Sequence, residues 1–226
     1  MWINKYLAQQ GFSTRRGADE LVKQGKVFIN GKRAKATDKV LEGDKVEVKG
    51  FKAPTYKYYA YFKPRGVITH SAQGEEQEIK EIFPSPGVFP VGRLDKDSHG
   101  LIILTTDGRI TDRLLNPKYD HDKEYIVKVD KLLKPNVKTR FEKGVLIEGY
   151  KTAPTKVKLL SEKTFQIILR EGKKHQIRRM CAALGYTVTD LKRTRVMNIR
   201  LNDLKSGEYR ELIGEELNKF LISLGL

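Results

Sequence analysis

The chain has 226 residues, enough for a well-buried core and for one small and one larger domain. Its 44 Lys and Arg against 28 Asp and Glu leave a charge of +16 at neutral pH, which points to a polyanionic partner, either nucleic acid or an acidic membrane face. Apolar runs of only a few residues exclude a membrane span and a signal-peptide core, and the single Cys181 excludes an internal disulfide, in keeping with a reducing cytoplasm.

The first fifty residues read as a small α+β module. Ile3 to Gln10 has helical character and stops at Gly11. Ser13 or Thr14 can cap a second helix whose apolar face is Ala18, Leu21 and Val22. Strands over Lys26–Ile29 and Lys32–Lys35 flank Asn30-Gly31, a pair suited to a type I′ turn because both central positions need positive φ. Gly43-Asp44 then turns into the alternating strand Lys45–Val48. Arg15 and Arg16 fall in the first turn of the second helix, where cations oppose the helix dipole. They read either as a phosphate-binding pair beside free helix N–H groups or as two exposed charges. A linker is expected at 50–55, which divides the chain into 1–49 and 56–226.

The larger part opens with an aromatic strand, Tyr56–Phe62, read as sheet packing. It leads through the turn Lys63-Pro64-Arg65-Gly66 into a strand over Val67–Thr69. Lys63 and Arg65 at that turn could reach a phosphate. A short helix over Glu78–Ile82 and a strand over Val88–Val91 precede Gly92-Arg93-Leu94-Asp95. The four aliphatic residues Leu101–Leu104 form a strand buried on both faces, so the loop carrying Asp95 is anchored to rigid core. A helix over Arg109–Leu115 ends at Pro117, and Lys123–Val129 alternates as a strand with Tyr125, Val127 and Val129 on one face. By pattern Tyr125 is a core residue with a polar tip.

Beyond it the pattern predicts a helix over Pro135–Glu142, strands over Val145–Ile147, Lys156–Leu160 and Thr164–Leu169, and a helix over His175–Leu184. On that helix Arg178, Cys181 and Ala182 fall at i, i+3 and i+4, so Arg178 looks inward and needs an anion, while Cys181 reads as packing. His175 reads as a hydrogen-bonded residue at the helix start, outside any acid–base role. Strands over Tyr186–Val188 and Thr194–Ile199 precede a last helix over Gly214–Leu224, with Leu217, Phe220, Leu221 and Leu224 as its core stripe. The four histidines are scattered without metal-ligand spacing, so neither a metal nor a cofactor is expected.

Four motifs in order carry a resemblance: Lys63-Pro64-Arg65-Gly66, Gly92-Arg93-Leu94-Asp95, Lys123-Glu124-Tyr125 and Gly172-Lys173-Lys174-His175-Gln176-Ile177-Arg178-Arg179-Met180. Together they resemble the pseudouridine synthases of the RsuA and RluA kind, nearest the branch acting on large-subunit ribosomal RNA called pseudouridine synthase F. The first fifty residues are similar to an S4 RNA-binding domain. They depart from its usual pattern at Trp2-Ile3 and at Gly17, where an acidic residue is common. The resemblance implies an α+β fold, with an S4-like module followed by a catalytic domain built on a mixed, mostly antiparallel sheet flanked by helices.

It also implies an isomerase that converts a uridine in ribosomal RNA to pseudouridine, possessing one catalytic carboxylate, Asp95, that either attacks C1′ or deprotonates C2′. Tyr125 would pack on the uracil, Arg178 would pair with Asp95, and Arg93 would fill the place of the flipped base. Lys123, Lys173, Lys174 and Arg179 join Arg15, Arg16, Lys63 and Arg65 as expected RNA contacts. The expected partner is RNA, large-subunit rRNA foremost and a tRNA anticodon stem-loop as a second substrate, bound by a cytoplasmic monomer without membrane association. Two rivals stay open. A hydrolase would need a second carboxylate, for which Asp97 is the candidate, and a non-catalytic RNA-binding or ribosome-assembly factor would share the same basic surface.

Overall fold

The computed structural model describes residues 1–51, 55–71, 73–74 and 76–226, with the backbone alone for Arg15 and Arg16. The expected linker 50–55 therefore lies partly outside the described residues. Two helices open the chain, α1 (Ile3–Gln9) and α2 (Arg15–Lys23), followed by β1 (Val27–Ile29), β2 (Lys32–Arg33) and β3 (Val46–Val48). Thr14 caps α2 by accepting from the Gly17 amide at 3.1 Å. Asn30 and Gly31 have φ of 51° and 78°, the positive values that a type I′ turn demands. The strands pair in the order β2-β1-β3, and Ile3, Leu7, Ala18, Val22 and Val27 bury a small core beneath them.

The remainder supplies β4 (Tyr58–Lys63), α3 (Ile79–Ile82), β5 (Phe89–Val91), β6 (His99–Thr105), α4 (Ile110–Leu115), β7 (Lys123–Val129), α5 (Val137–Glu142), β8 (Leu146–Ile147) and β9 (Tyr150–Lys151). It continues through β10 (Lys156–Ser161), β11 (Thr164–Leu169), α6 (Gln176–Ala183), β12 (Val188–Val196), β13 (Ile199–Arg200), β14 (Tyr209–Glu211) and α7 (Gly214–Ser223). Among the described residues the large sheet runs β10-β11-β7-β12-β6-β4-β14, with β13 on β12 and β5 on β6. It is mixed and mostly antiparallel. The parallel pair is β12 with β6, at the centre.

Alternation along β4 and β6 sorts their side chains into two cores. Tyr58, Ala60, Phe62, Leu101 and Ile103 face α4 and α7, whereas Tyr59, Tyr61, Ile102 and Leu104 face Ile79 and Phe83. A third core lies between β7, β11, α5 and α6 and contains Val127, Phe141, Phe165, Met180 and Cys181. Burial pushes the Cys181 thiol up to about 12, which fits a packing role. Tyr125 touches both this core and the one around Ile102, so it stands at their seam. The small module contacts the large domain through Tyr56, whose hydroxyl donates to the Gly11 carbonyl at 2.9 Å beneath the Arg109 guanidinium.

Two expected elements differ. Val67–Thr69 forms no strand, only a bridge from Ile68 to Glu78: Ile68 pairs with Gln77 and Ile79, while the Val67 carbonyl accepts from Lys63 Nζ and the Thr69 hydroxyl bonds Leu94 in the Asp95 loop. The two strands expected at Tyr186–Val188 and Thr194–Ile199 are largely one, β12. Its middle, Asp190-Leu191-Lys192-Arg193, lacks the apolar alternation that marks a central strand. Among the described residues no helix is long and apolar enough to cross a membrane.

Candidate active site

The Gly92–Ser98 loop joins β5 to β6 and is tied down on several sides. The Thr69 hydroxyl donates to the Leu94 carbonyl at 2.7 Å and accepts from the Leu94 amide at 3.1 Å. The Gly66 amide donates to the Lys96 carbonyl at 2.8 Å, and the Ser98 amide closes the turn onto the Asp95 carbonyl at 3.0 Å. Glycine is required where this loop enters β6. Gly100 has φ of +103°, and a Cβ there would stand 2.3 Å from the Arg193 carbonyl oxygen of the adjacent β12.

These constraints place Asp95 on a cleft of about 530 Å³ at the seam between the cores. The cleft is also lined by Arg93, Lys123, Tyr125, Lys173, Lys174, His175 and Arg193, against apolar walls from Leu114, Leu169, Ile177 and Leu191. Of the expected site residues, Arg93, Asp95, Lys123, Tyr125, Lys173 and Lys174 thus share one cleft. Asp95 remains about one-third exposed, and Tyr125 is partly buried in the wall. Burial lowers the affinity of Lys123 for its proton, and the nearby Arg193 charge adds to the effect. Asp97 is exposed and lies outside the lining, so the cleft does not offer it as the second carboxylate that a hydrolase needs.

Four expected site residues have other partners in this structure. Arg178 does not pair with the Asp95 carboxylate in this structure. Its Nη2 donates to the Asp97 carbonyl at 3.2 Å and the Ser98 hydroxyl at 3.4 Å, while Nη1 donates to Val188 O at 3.3 Å. The guanidinium reaches the backbone of the loop rather than the acid at its tip. Lys63 cannot serve as a phosphate contact, because it is wholly buried with Nζ donating to the carbonyls of Pro64 at 2.9 Å and Val67 at 2.7 Å. Burial pushes its pKa down to about 8. Arg65 is held by Asp190, which also meets His99 Nε2 at 2.9 Å. Arg179 is engaged by Glu148 at 2.5 Å. Arg15 and Arg16 lie in the first turn of α2, but their side chains are outside the described residues.

Two further residues face the acid or the cleft, His175, read from the sequence as a helix-start residue, and Arg193, which the sequence reading did not single out. His175 Nε2 stands 3.4 Å from Asp95 Oδ1, nearer than any expected partner. It gets there through a left-handed backbone, φ 51° and ψ 27°, which caps α6. No residue pattern announces positive φ at a histidine. Arg193 is 5% exposed and faces the cleft directly beside Tyr125, its cross-strand partner. The available signal was its position two residues from the buried Leu191, on the same face of a strand.

Residues 57–183 match the family model for RNA pseudouridylate synthases, and residues 1–46 match the S4 domain. The chain is 42% identical over 221 residues to the dual-specificity RNA pseudouridine synthase RluF of Salmonella typhi, covering 95% of this chain and 76% of that protein. It is 36% identical to the ribosomal large subunit pseudouridine synthase B of Bacillus subtilis, covering 96% and 94%. A crystal structure of a pseudouridylate synthase superposes over 98% of each chain with a TM-score of 0.72 and 28% identity. With the fold, the cleft and these matches in agreement, this chain belongs to the RNA pseudouridine synthases that carry an N-terminal S4 domain.

Proposed function

We propose that the chain isomerises a specific uridine of large-subunit ribosomal RNA, with Asp95 as its catalytic carboxylate. The observation that carries this reading is the convergence of Asp95, Tyr125 and a rim of cations on one cleft. Isomerisation breaks the bond from C1′ to N1, turns the uracil while it stays bound, and rejoins it through C5. Asp95 either attacks C1′ or removes the C2′ proton. Tyr125 packs on the uracil, and the apolar walls exclude water while the base is detached. Arg93, exposed on the rim, fills the vacated place in the RNA.

Arg178 acts in this reading as a positioning residue, holding the loop through Asp97 and Ser98. Arg178→Ala then lowers kcat with little change in KM, and Arg178→Lys restores part of it. Equal turnover in Arg178→Ala would remove the role. Residues 1–49 form the RNA-binding module and 56–226 the catalytic domain, working as a cytoplasmic monomer. Arg15, Arg16, Lys173 and Lys174 contact phosphates, so affinity falls steeply with added salt.

The test is to incubate the full chain with unmodified large-subunit rRNA and map pseudouridine. One modified site is expected with the wild type and none with Asp95→Asn at unchanged RNA affinity. Full product from Asp95→Asn would refute the assignment, and tight binding by the wild type without product would favour a ribosome-assembly factor. Relatives described as dual-specificity motivate a second arm with a tRNA anticodon stem-loop.

A further inference from the structure

Arg193 lies where a structural arginine is hardest to justify. It lines the cleft but is 5% exposed, and among the described residues no carboxylate lies within ion-pairing distance of it. Its Nε donates to the Leu101 carbonyl at 2.6 Å and its Nη1 reaches the Arg93 carbonyl at 3.5 Å. Nη2 has no protein acceptor among the described residues. Arg193 repels the buried Lys63 and the half-buried Lys123, while the Asp95 and Asp97 carboxylates act on Lys63 in the opposite sense. A buried cation without a counter-ion is costly unless an anion arrives with the ligand.

Register says which part of the ligand it meets. On the sheet Arg193 is directly opposite Tyr125 on one side and Gly100 on the other. Cross-strand partners project from the same face with Cβ atoms about 5 Å apart. A uracil packed on Tyr125 therefore has the Arg193 guanidinium beside its edge, at the end of the row nearest the Asp95 loop.

We propose that Arg193 is a further catalytic residue, which holds a carbonyl oxygen of the target uracil and stabilises the negative charge on the base once it is detached. The inference rests on the uridine-isomerising reading above. When the C1′–N1 bond breaks, its electron pair leaves with the uracil and spreads over N1, O2 and O4. In the nucleophilic route Asp95 bonds to C1′ as N1 departs. C5 then bonds to C1′ with the base's electron pair and expels the carboxylate. In the elimination route Asp95 takes the C2′ proton, the C2′–H pair forms the C1′–C2′ double bond and N1 departs. C5 then adds to C1′ as C2′ recovers its proton from Asp95. In both routes C5 loses its proton and N1 gains one, so the same anion is formed and the same cation serves it.

The experiment places 2-thiouridine or 4-thiouridine at the mapped target position of a synthetic RNA, since sulfur is a poorer hydrogen-bond acceptor than oxygen. Single-turnover conversion is followed by nucleoside chromatography for wild type, Arg193→Leu and Arg193→Lys. Loss of one oxyanion donor slows turnover on the order of 10²–10³-fold, so Arg193→Leu should be slow on the ordinary substrate. One thio substitution should slow the wild type strongly and Arg193→Leu hardly further. If both thio substrates react at the normal rate with wild type, or if the two penalties multiply in the variant, Arg193 is only a backbone clamp and the proposal falls. Should Arg193→Leu not fold, Arg193→Lys is read by the same criterion. Wild-type protein that forms no pseudouridine in any rRNA would instead overturn the underlying reading, a result distinct from thio-insensitive turnover.

Discussion

β6 and β12 lie side by side at the centre of the same sheet, yet they are built by opposite rules. β6 is buried almost throughout, with Leu101, Ile102, Ile103 and Leu104 dividing between cores on its two faces. β12 carries Asp190, Lys192, Arg193 and Arg195 in an equally central position. One strand gains its place by apolar burial, and the other carries charges, of which Asp190 and Arg195 have ion-pair partners while Arg193 has only backbone carbonyls. Arg195 meets Glu124 at 3.3 Å and also donates to Met197 O at 2.7 Å, and Thr194 donates to Glu124 at 2.8 Å. The contrast puts apolar burial on β6 and charge on β12, with Gly100 letting the two approach closely enough to share one cleft.

The largest effect on this comparison should come from unbalancing β12. The Glu124–Arg195 pair is only 10–12% exposed, and removing one member of a buried pair costs about 3–5 kcal/mol because the other charge is left stranded. Glu124→Ala should therefore lower the unfolding free energy by that amount in urea denaturation. The double variant Glu124→Leu with Arg195→Met should recover much of it. A single variant as stable as the double would show that the charges on β12 are not balanced pairwise.

A somewhat smaller effect is expected at the end of β4, where Lys63 is buried on the carbonyls of Pro64 and Val67. Its folded pKa of about 8 lies below the ordinary 10.5, so between those values the unfolded chain binds more protons than the folded one. Stability should rise with pH across that window by about 3 kcal/mol, the penalty being complete below pH 8. Lys63→Met should flatten this rise in unfolding curves taken from pH 7 to 11. An unchanged slope would mean that Lys63 keeps its proton as readily folded as unfolded.

The same division explains what could be seen beforehand. Lys123–Val129 and Thr164–Leu169 were legible to the residue because alternation alone sets them, and so were the Asn30-Gly31 turn and the stripe on α7. The motif residues Asp95 and Tyr125 could be assigned to one site because the family pattern links positions far apart in the chain. β12 was hidden because its alternation is written in charged residues, which are the group that usually marks a solvated surface. Lys63 reads as exposed for the same reason: a lysine beside a proline turn looks solvated, and the residue types do not reveal that the turn folds its own Pro64 and Val67 carbonyls over the amine. The hydrogen bonds of Arg178 depend on where the β5–β6 loop settles in space, and local spacing does not encode that.

The mildest perturbation separates the two strands most cleanly. Ile102 is wholly buried on the side of β6 that faces Ile79 and Phe83. Ile102→Val removes one methylene and should cost about 0.5–1.5 kcal/mol. Nothing of Ile102 faces the cleft, whose lining from this strand is Ile103, so kcat at 25 °C should stay within about twofold of wild type if catalysis tracks the geometry of β12 rather than the stability of β6. Unfolding in urea and turnover on the same preparation give both numbers. A tenfold fall in kcat from so small a cavity would mean that the Asp95 loop feels the packing of β6 directly, and that the division of labour between the strands is not as sharp as their compositions make it.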